Sequence, residues 1–150
     1  MKRILAAIDF SDGTEAVLFK TLEMVKAFNA ELSIVHAEPE GNVYAREEDN
    51  REYLDGIFLR IDLIRKKFQE YNIFPYMKQG SGSASKCILR ECERFRPDLV
   101  IIGAHKHSKI VRIFSEHIRE DLIAKASCPL MLVRPDDHEG SFVSKDLNFS

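Results

Sequence analysis

The sequence predicts an α/β protein built on a doubly wound, five-stranded parallel sheet with helices on both faces. Three observations carry that prediction. Five short apolar runs alternate with longer segments of helical period. The strongest runs lack polar alternation, so they read as strands covered on both faces. Strand, helix and strand in repeated succession imply parallel strands joined by right-handed crossovers.

Taken in order, the first strand is Arg3-Ile4-Leu5-Ala6-Ala7-Ile8, ending at Asp9. Ser11-Asp12-Gly13-Thr14-Glu15 then supplies helix-start chemistry, a hydroxyl or carboxylate for the N-cap and an acid in the first turn. Val17, Leu18, Leu22, Met24, Val25 and Phe28 form the apolar stripe of that helix. The second strand runs from Glu31 to Glu38, and a polar, loop-like stretch follows from Pro39 to about Arg51. Leu54, Ile57, Phe58, Ile61, Ile64 and Phe68 recur at helical spacing, which predicts a long second helix to about Tyr71. Ile73 to Gln79 is a weaker strand. Pro75 within it removes a ladder donor and places it at a sheet edge. Gly80-Ser81-Gly82-Ser83 turns the chain into a third helix carrying Ala84, Ile88, Cys92 and Phe95. Asp98 to Gly103 is the strongest strand. A basic loop from Ala104 to about Phe114 leads to a fourth helix beginning near Ser115, and Pro129 to Val133 is the last strand. Beyond Pro135 the chain is polar and irregular, with Phe142, Val143, Leu147 and Phe149 as its few apolar anchors, so a frayed tail is expected.

The length, 150 residues, suits one domain with a real core, and no internal repeat is visible. Net charge is −2, from 22 basic and 24 acidic side chains, so broad attraction to nucleic acid is not expected. Cys87, Cys92 and Cys128 are odd in number and lack metal-type CxxC spacing. Their five-residue separation puts Cys87 and Cys92 on different faces of a helix. Buried, reduced thiols are expected, as in a reducing cytosol. The apolar run near Met1 is too short for a signal sequence, and no stretch approaches the ~20 apolar residues of a membrane span. A cytoplasmic protein with no membrane partner is the expectation.

In such a sheet, ligands bind beyond the carboxyl ends of the strands, where the winding direction reverses. Two strand ends qualify: Asp9 after the first, and Gly103 with its basic loop after the fourth. The Asp9 carboxylate is suited to accept hydrogen bonds from a ribose or an adenine amine, and equally suited to cap the following backbone. His105, His107 and His117 lack a cysteine or paired carboxylate to complete a metal site, so none is expected. Ser11, Ser108 and Ser115 have no GxSxG elbow or positioned acid–base pair, so no catalytic residue is assigned.

Four segments together resemble the universal stress protein family: the opening KRILAAIDFSDGTEA, the Gly80 turn before a helix, the strand DLVIIGAH and the ending ASCPLMLVRP. The resemblance covers residues 1–135, in the family's order and spacing, with 136–150 left as a flexible C-terminal tail. It implies the adenine-nucleotide alpha hydrolase-like fold, homodimers often paired through their last strands, and a link to survival under stress. It also implies that an Asp at the position of Asp9 helps hold adenosine. In nucleotide-binding members, a loop of Gly, two residues, Gly, nine residues, Gly, then Ser or Thr wraps the phosphates.

On this chain that loop begins at Gly103, with His105 in the intervening pair, and then departs from the pattern. Lys106 replaces the second glycine, Glu116 the third, and His117 the hydroxyl residue. Side chains at those points keep backbone amides from approaching phosphates. A Glu in the first turn of a helix supplies the negative charge that a phosphate would otherwise bring. ATP binding is therefore disfavoured and no cofactor is expected. Lys106, Lys109 and Arg112 keep an alternative open, in which side-chain charge holds ATP or another anion beside Asp9. A third reading is an anion- or metal-responsive sensor acting through the histidine-rich loop. The leading expectation is a dimeric stress-response or regulatory protein without enzymatic activity, its subunits paired through Leu130-Met131-Leu132-Val133.

Overall fold

The computed structural model describes residues 1–10, 13–37, 50–80, 83–104, 116–136 and 138–143. Among them the chain forms β1 (Arg3–Ile8), α1 (Thr14–Phe28), β2 (Glu31–Ala37), α2 (Asn50–Gln69), β3 (Tyr76–Gly80), α3 (Ala84–Phe95), β4 (Leu99–Gly103), α4 (Glu116–Lys125) and β5 (Leu130–Val133). The strands make one parallel sheet in the order β3-β2-β1-β4-β5. Winding proceeds outward from β1 to β3, then returns past β1 to β4 and β5, so the reversal lies between β1 and β4.

Strand alternation sorts the apolar side chains onto two faces. Ile4, Ala6, Ile8, Ile34 and Ile101 meet α1 and α2 on one side, where Val17, Leu18, Ile64 and Phe68 cover them. Leu5, Ala7, Val35, Val100 and Ile102 face α3 and α4, whose Ala84, Cys87, Ile88 and Leu122 close the second layer. Each fully buried Ile, Leu or Phe contributes about 1.5–3 kcal/mol through lost water contact, which explains why the central strands lack polar alternation.

Several local expectations are corrected. Pro75 precedes β3 rather than lying within it, so its missing donor costs no ladder bond, and β3 is an edge strand as expected. Phe28 and Phe58 are exposed, because the buried face of each helix is narrower than its apolar stripe. The N-cap of α1 is Gly13, with no side-chain cap, its carbonyl accepting the Val17 amide at 3.2 Å. Cys87 and Cys92 are both buried against the sheet, since α3 buries a broad face that takes in both. Burial raises both thiols, Cys92 to about 12, with Cys128, Glu91 and Glu93 adding negative charge near Cys92. At Gly80 the decisive property is space rather than the turn: a Cβ there would lie 2.5 Å from Cys87 Sγ.

The segment after Pro135 also departs from expectation. Phe142 is 1% exposed and Val143 is buried with it in the α1–α2 layer. Phe142 packs on Phe68 and edge-on to Phe19, with centroids 5.0 and 5.3 Å away. One large ring among polar neighbours creates no periodic signal, yet it docks. The Leu147 and Phe149 anchors and the loop over 39–49 lie outside the described residues.

Candidate functional site

The crevice forms where β1 and β4 release the chain on adjacent lines of the sheet. Their register pairs Ile4 with Leu99 and Ala6 with Ile101, so the two strands run side by side towards Ile8 and Gly103, their last residues. Asp9 and Gly103, both singled out from sequence, thus stand at the carboxyl ends of two neighbouring strands. Next to them the Ala104 amide donates to the Val133 carbonyl at 2.7 Å, tying the end of β4 to β5. The crevice's other wall is the first turn of α1, where the Thr14 hydroxyl donates to Asp9 Oδ1 at 3.4 Å. A Cβ on Gly103 would meet Val17 Cγ2 at 3.5 Å, ordinary contact, so packing alone does not demand glycine there.

Sequence reasoning missed the third member of this corner. His36, at the carboxyl end of β2, is 3% exposed and stacks on the ring of Phe10 with centroids 4.3 Å apart. Its Nδ1 has no hydrogen-bond partner among the described residues. Burial lowers its pKa to about 4; the Asp9 carboxylate pulls the other way and Arg60 reinforces the drop. The imidazole is neutral at physiological pH. Phe10 itself has φ 58, left-handed backbone for a bulky residue, and the Arg60 guanidinium lies 5.6 Å over its ring. The available signal was a histidine set among the apolar residues Ile34, Val35 and Ala37 of the strand ELSIVHAE.

His105, Lys106 and Lys109, with His107, Ser108 and Arg112, lie outside the described residues. Glu116 is the first residue of α4 and His117 the second; their side chains lie outside the described set too. Among the described residues, no group of three or more His, Cys, Asp or Glu gathers as metal ligands. No described helix is long and apolar enough to cross a membrane. A cavity of about 440 Å³ opens at the opposite, amino end of the strands, among Val25, Leu32, Tyr71, Ile73, Phe74 and Tyr76. It shares no residue with the crevice.

The profile of the universal stress protein family matches residues 1–134. No curated protein matches the sequence. Similar solved structures include a universal stress protein from Archaeoglobus fulgidus, with 22% identity and a TM-score of 0.67 over 91% of this chain and 45% of that one. A family protein from Burkholderia pseudomallei has 16% identity and a TM-score of 0.67, covering 87% and 94% of the two chains. One from Arabidopsis thaliana, with AMP bound, has 19% identity and a TM-score of 0.62, covering 89% and 92%. This chain thus spans less than half of the Archaeoglobus protein and nearly all of the other two.

Proposed function

The chain belongs to the universal stress protein family, and on that premise we propose a dimeric regulatory protein with no enzymatic activity, whose nucleotide loop has degenerated so that ATP is not bound. The observation that carries this reading is the start of α4 at Glu116. A helix amino terminus attracts a phosphate through free amides and the positive end of its dipole. A carboxylate residue in that first turn stabilises the helix by about 0.3–1 kcal/mol and repels an incoming anion. Lys106, where the family pattern has glycine, adds a side chain where backbone must come close.

Dimerisation follows from the last strand. β5 lies at the sheet edge with Leu132 46% exposed, and Ile123 on neighbouring α4 is 63% exposed. An unpaired apolar edge favours strand addition, and a two-fold pair closes it. Sedimentation should give a dimer at micromolar concentration that Leu132→Lys weakens. A monomeric parent protein would refute this part.

One observation favours a second reading: Asp9, at the position the family resemblance assigns to adenosine, is held by the Thr14 hydroxyl at 3.4 Å, and relatives are described in complex with AMP, cAMP or dAMP. A monophosphate makes less demand on the loop than a triphosphate does. Ligand at 100 times its Kd stabilises a fold by about 2.7 kcal/mol, raising the melting temperature on the order of 5–10 °C at this size. Millimolar ATP, with or without magnesium, should produce almost no shift. A shift with AMP alone would establish the second reading, and a shift with ATP would overturn the first. The triple variant Lys106→Gly, Glu116→Gly, His117→Ser should gain a response to ATP.

A further inference from the structure

The segment that docks beyond β5 lies outside the family match, which ends at residue 134, and its residues 141 and 142 meet the helix that walls the crevice. Glu15, in the first turn of α1, accepts the Phe142 amide on Oε2, and its Oε1 lies 3.3 Å from the Ser141 hydroxyl, whose single proton also has the closer Val143 carbonyl at 2.5 Å. Immediately before it, Thr14 reaches Asp9. Behind these contacts Phe142 is wedged against Phe19 and Phe68, and the His138 ring stacks on Phe19 at 5.5 Å. Gly140, at φ 75, makes the turn between the two rings, and its carbonyl lies 3.0 Å from His138 Nδ1. Ser141 is exposed, so its hydroxyl is open to solvent while touching a carboxylate.

We propose that residues 138–143 form a charge-sensitive strap: docked, they hold the first turn of α1 and with it the Thr14–Asp9 wall of the crevice, and negative charge at position 141 releases them. The arrangement requires an uncharged side chain at 141, because the Glu15 carboxylate that accepts the Phe142 amide also lies 3.3 Å from the Ser141 hydroxyl. A second carboxylate or a phosphoryl group there would face Glu15 across hydrogen-bond distance, and like charges at that range repel. Release removes the partner that fixes α1's first turn, the part of any helix with the fewest internal hydrogen bonds. The strap needs no bound nucleotide, so its test is separate from that of ATP or AMP binding.

Amide hydrogen exchange on the full-length protein supplies that test, read over residues 9–18 and, as a reference on the other sheet face, over α3. Ser141→Asp should speed exchange over 9–18 at least about tenfold while α3 keeps its rate, since local opening is confined to the released element. The neutral Ser141→Asn should stay close to the parent. Glu15→Gln combined with Ser141→Asp removes the repulsion while leaving an acceptor for the Phe142 amide, and should return most of the protection. Unchanged exchange in Ser141→Asp, an equal rise in α3, or no recovery in the double variant would each overturn the strap.

Discussion

The His36 imidazole and the Phe10 ring lie face to face, centroids 4.3 Å apart and planes 27° from parallel, at the point where β1 and β2 both release the chain. The stack accounts for a backbone that would otherwise be unfavourable. A bulky residue at φ 58 costs on the order of 1–3 kcal/mol and persists only where its surroundings hold it. His36 beneath the ring and Arg60 over it do the holding. Asp9 is thereby carried between a rigid strand and a pinned turn.

Stability should fall as pH drops from about 7 towards 4 because of His36. Its folded pKa is about 4 against an ordinary 6.5, so in that window the unfolded chain takes up the proton first. Above 6.5 both states are neutral and nothing is lost; below about 4 the loss levels off. Between pH 7.5 and 5 the loss should be about 2 kcal/mol. Urea midpoints at the two pH values measure it. His36→Phe keeps the stack and removes the titration, so its midpoint should move less; an equal slope in both proteins would place the effect elsewhere.

A second pH response belongs to Glu91 on α3. Burial alone would raise its carboxyl, but hydrogen bonds from Arg94 and Ser33, with the charges of Arg94 and Lys78, outweigh it and leave the pKa below the ordinary range. The stability this provides is present above about pH 4.5 and is lost as acid protonates the folded carboxylate. Arg94→Met leaves the buried carboxylate with Ser33 alone, 2.9 Å away. It should lower stability at neutral pH and move the acid-unfolding midpoint upward. Because Arg94 is half exposed, solvent screens the pair and the loss should be modest.

The fold was legible because its signals are redundant along the chain. Ile4 to Ile8 and Leu99 to Gly103 are apolar on both faces, and only a strand covered twice needs that. Asp9 and Gly103 were legible for the same reason, as the residues at the ends of such strands. His36 was not, because its role depends on Phe10 and Arg60, which come from two other segments and meet it only in the fold. The Phe142 anchor shares that cause: its partners Phe19 and Phe68 are distant in sequence, and a single ring carries no period.

Gly80 should tolerate no side chain. A Cβ there would sit 2.5 Å from Cys87 Sγ and 2.8 Å from its Cβ, far inside contact distance, so α3 must move off β3. Gly80→Ala should destabilise by about 1–3 kcal/mol through overpacking. Adding Cys87→Gly removes both clashing atoms and should recover part of the loss beyond what Cys87→Gly does alone, a coupling measurable by a double-mutant cycle.

The docked tail gives the largest predicted effect. Phe142 is fully buried in the α1–α2 layer and packs against both Phe19 and Phe68. Phe142→Ala removes its buried surface and leaves a cavity lined by two rings, which costs about 3–5 kcal/mol in a close-packed core. For a chain of 150 residues this lowers the melting temperature on the order of 6–20 °C. Truncation after Arg134 should lower it at least as far, because it also removes Val143 and the Phe142 amide that Glu15 accepts. Phe142→Leu, which keeps most of the volume, should recover more than half of the loss. Calorimetry on the three proteins decides the matter. If truncation leaves the melting temperature within about a degree of the parent, an effect below about 0.5 kcal/mol at this size, Phe142 does not anchor the fold and the segment after β5 is a bystander.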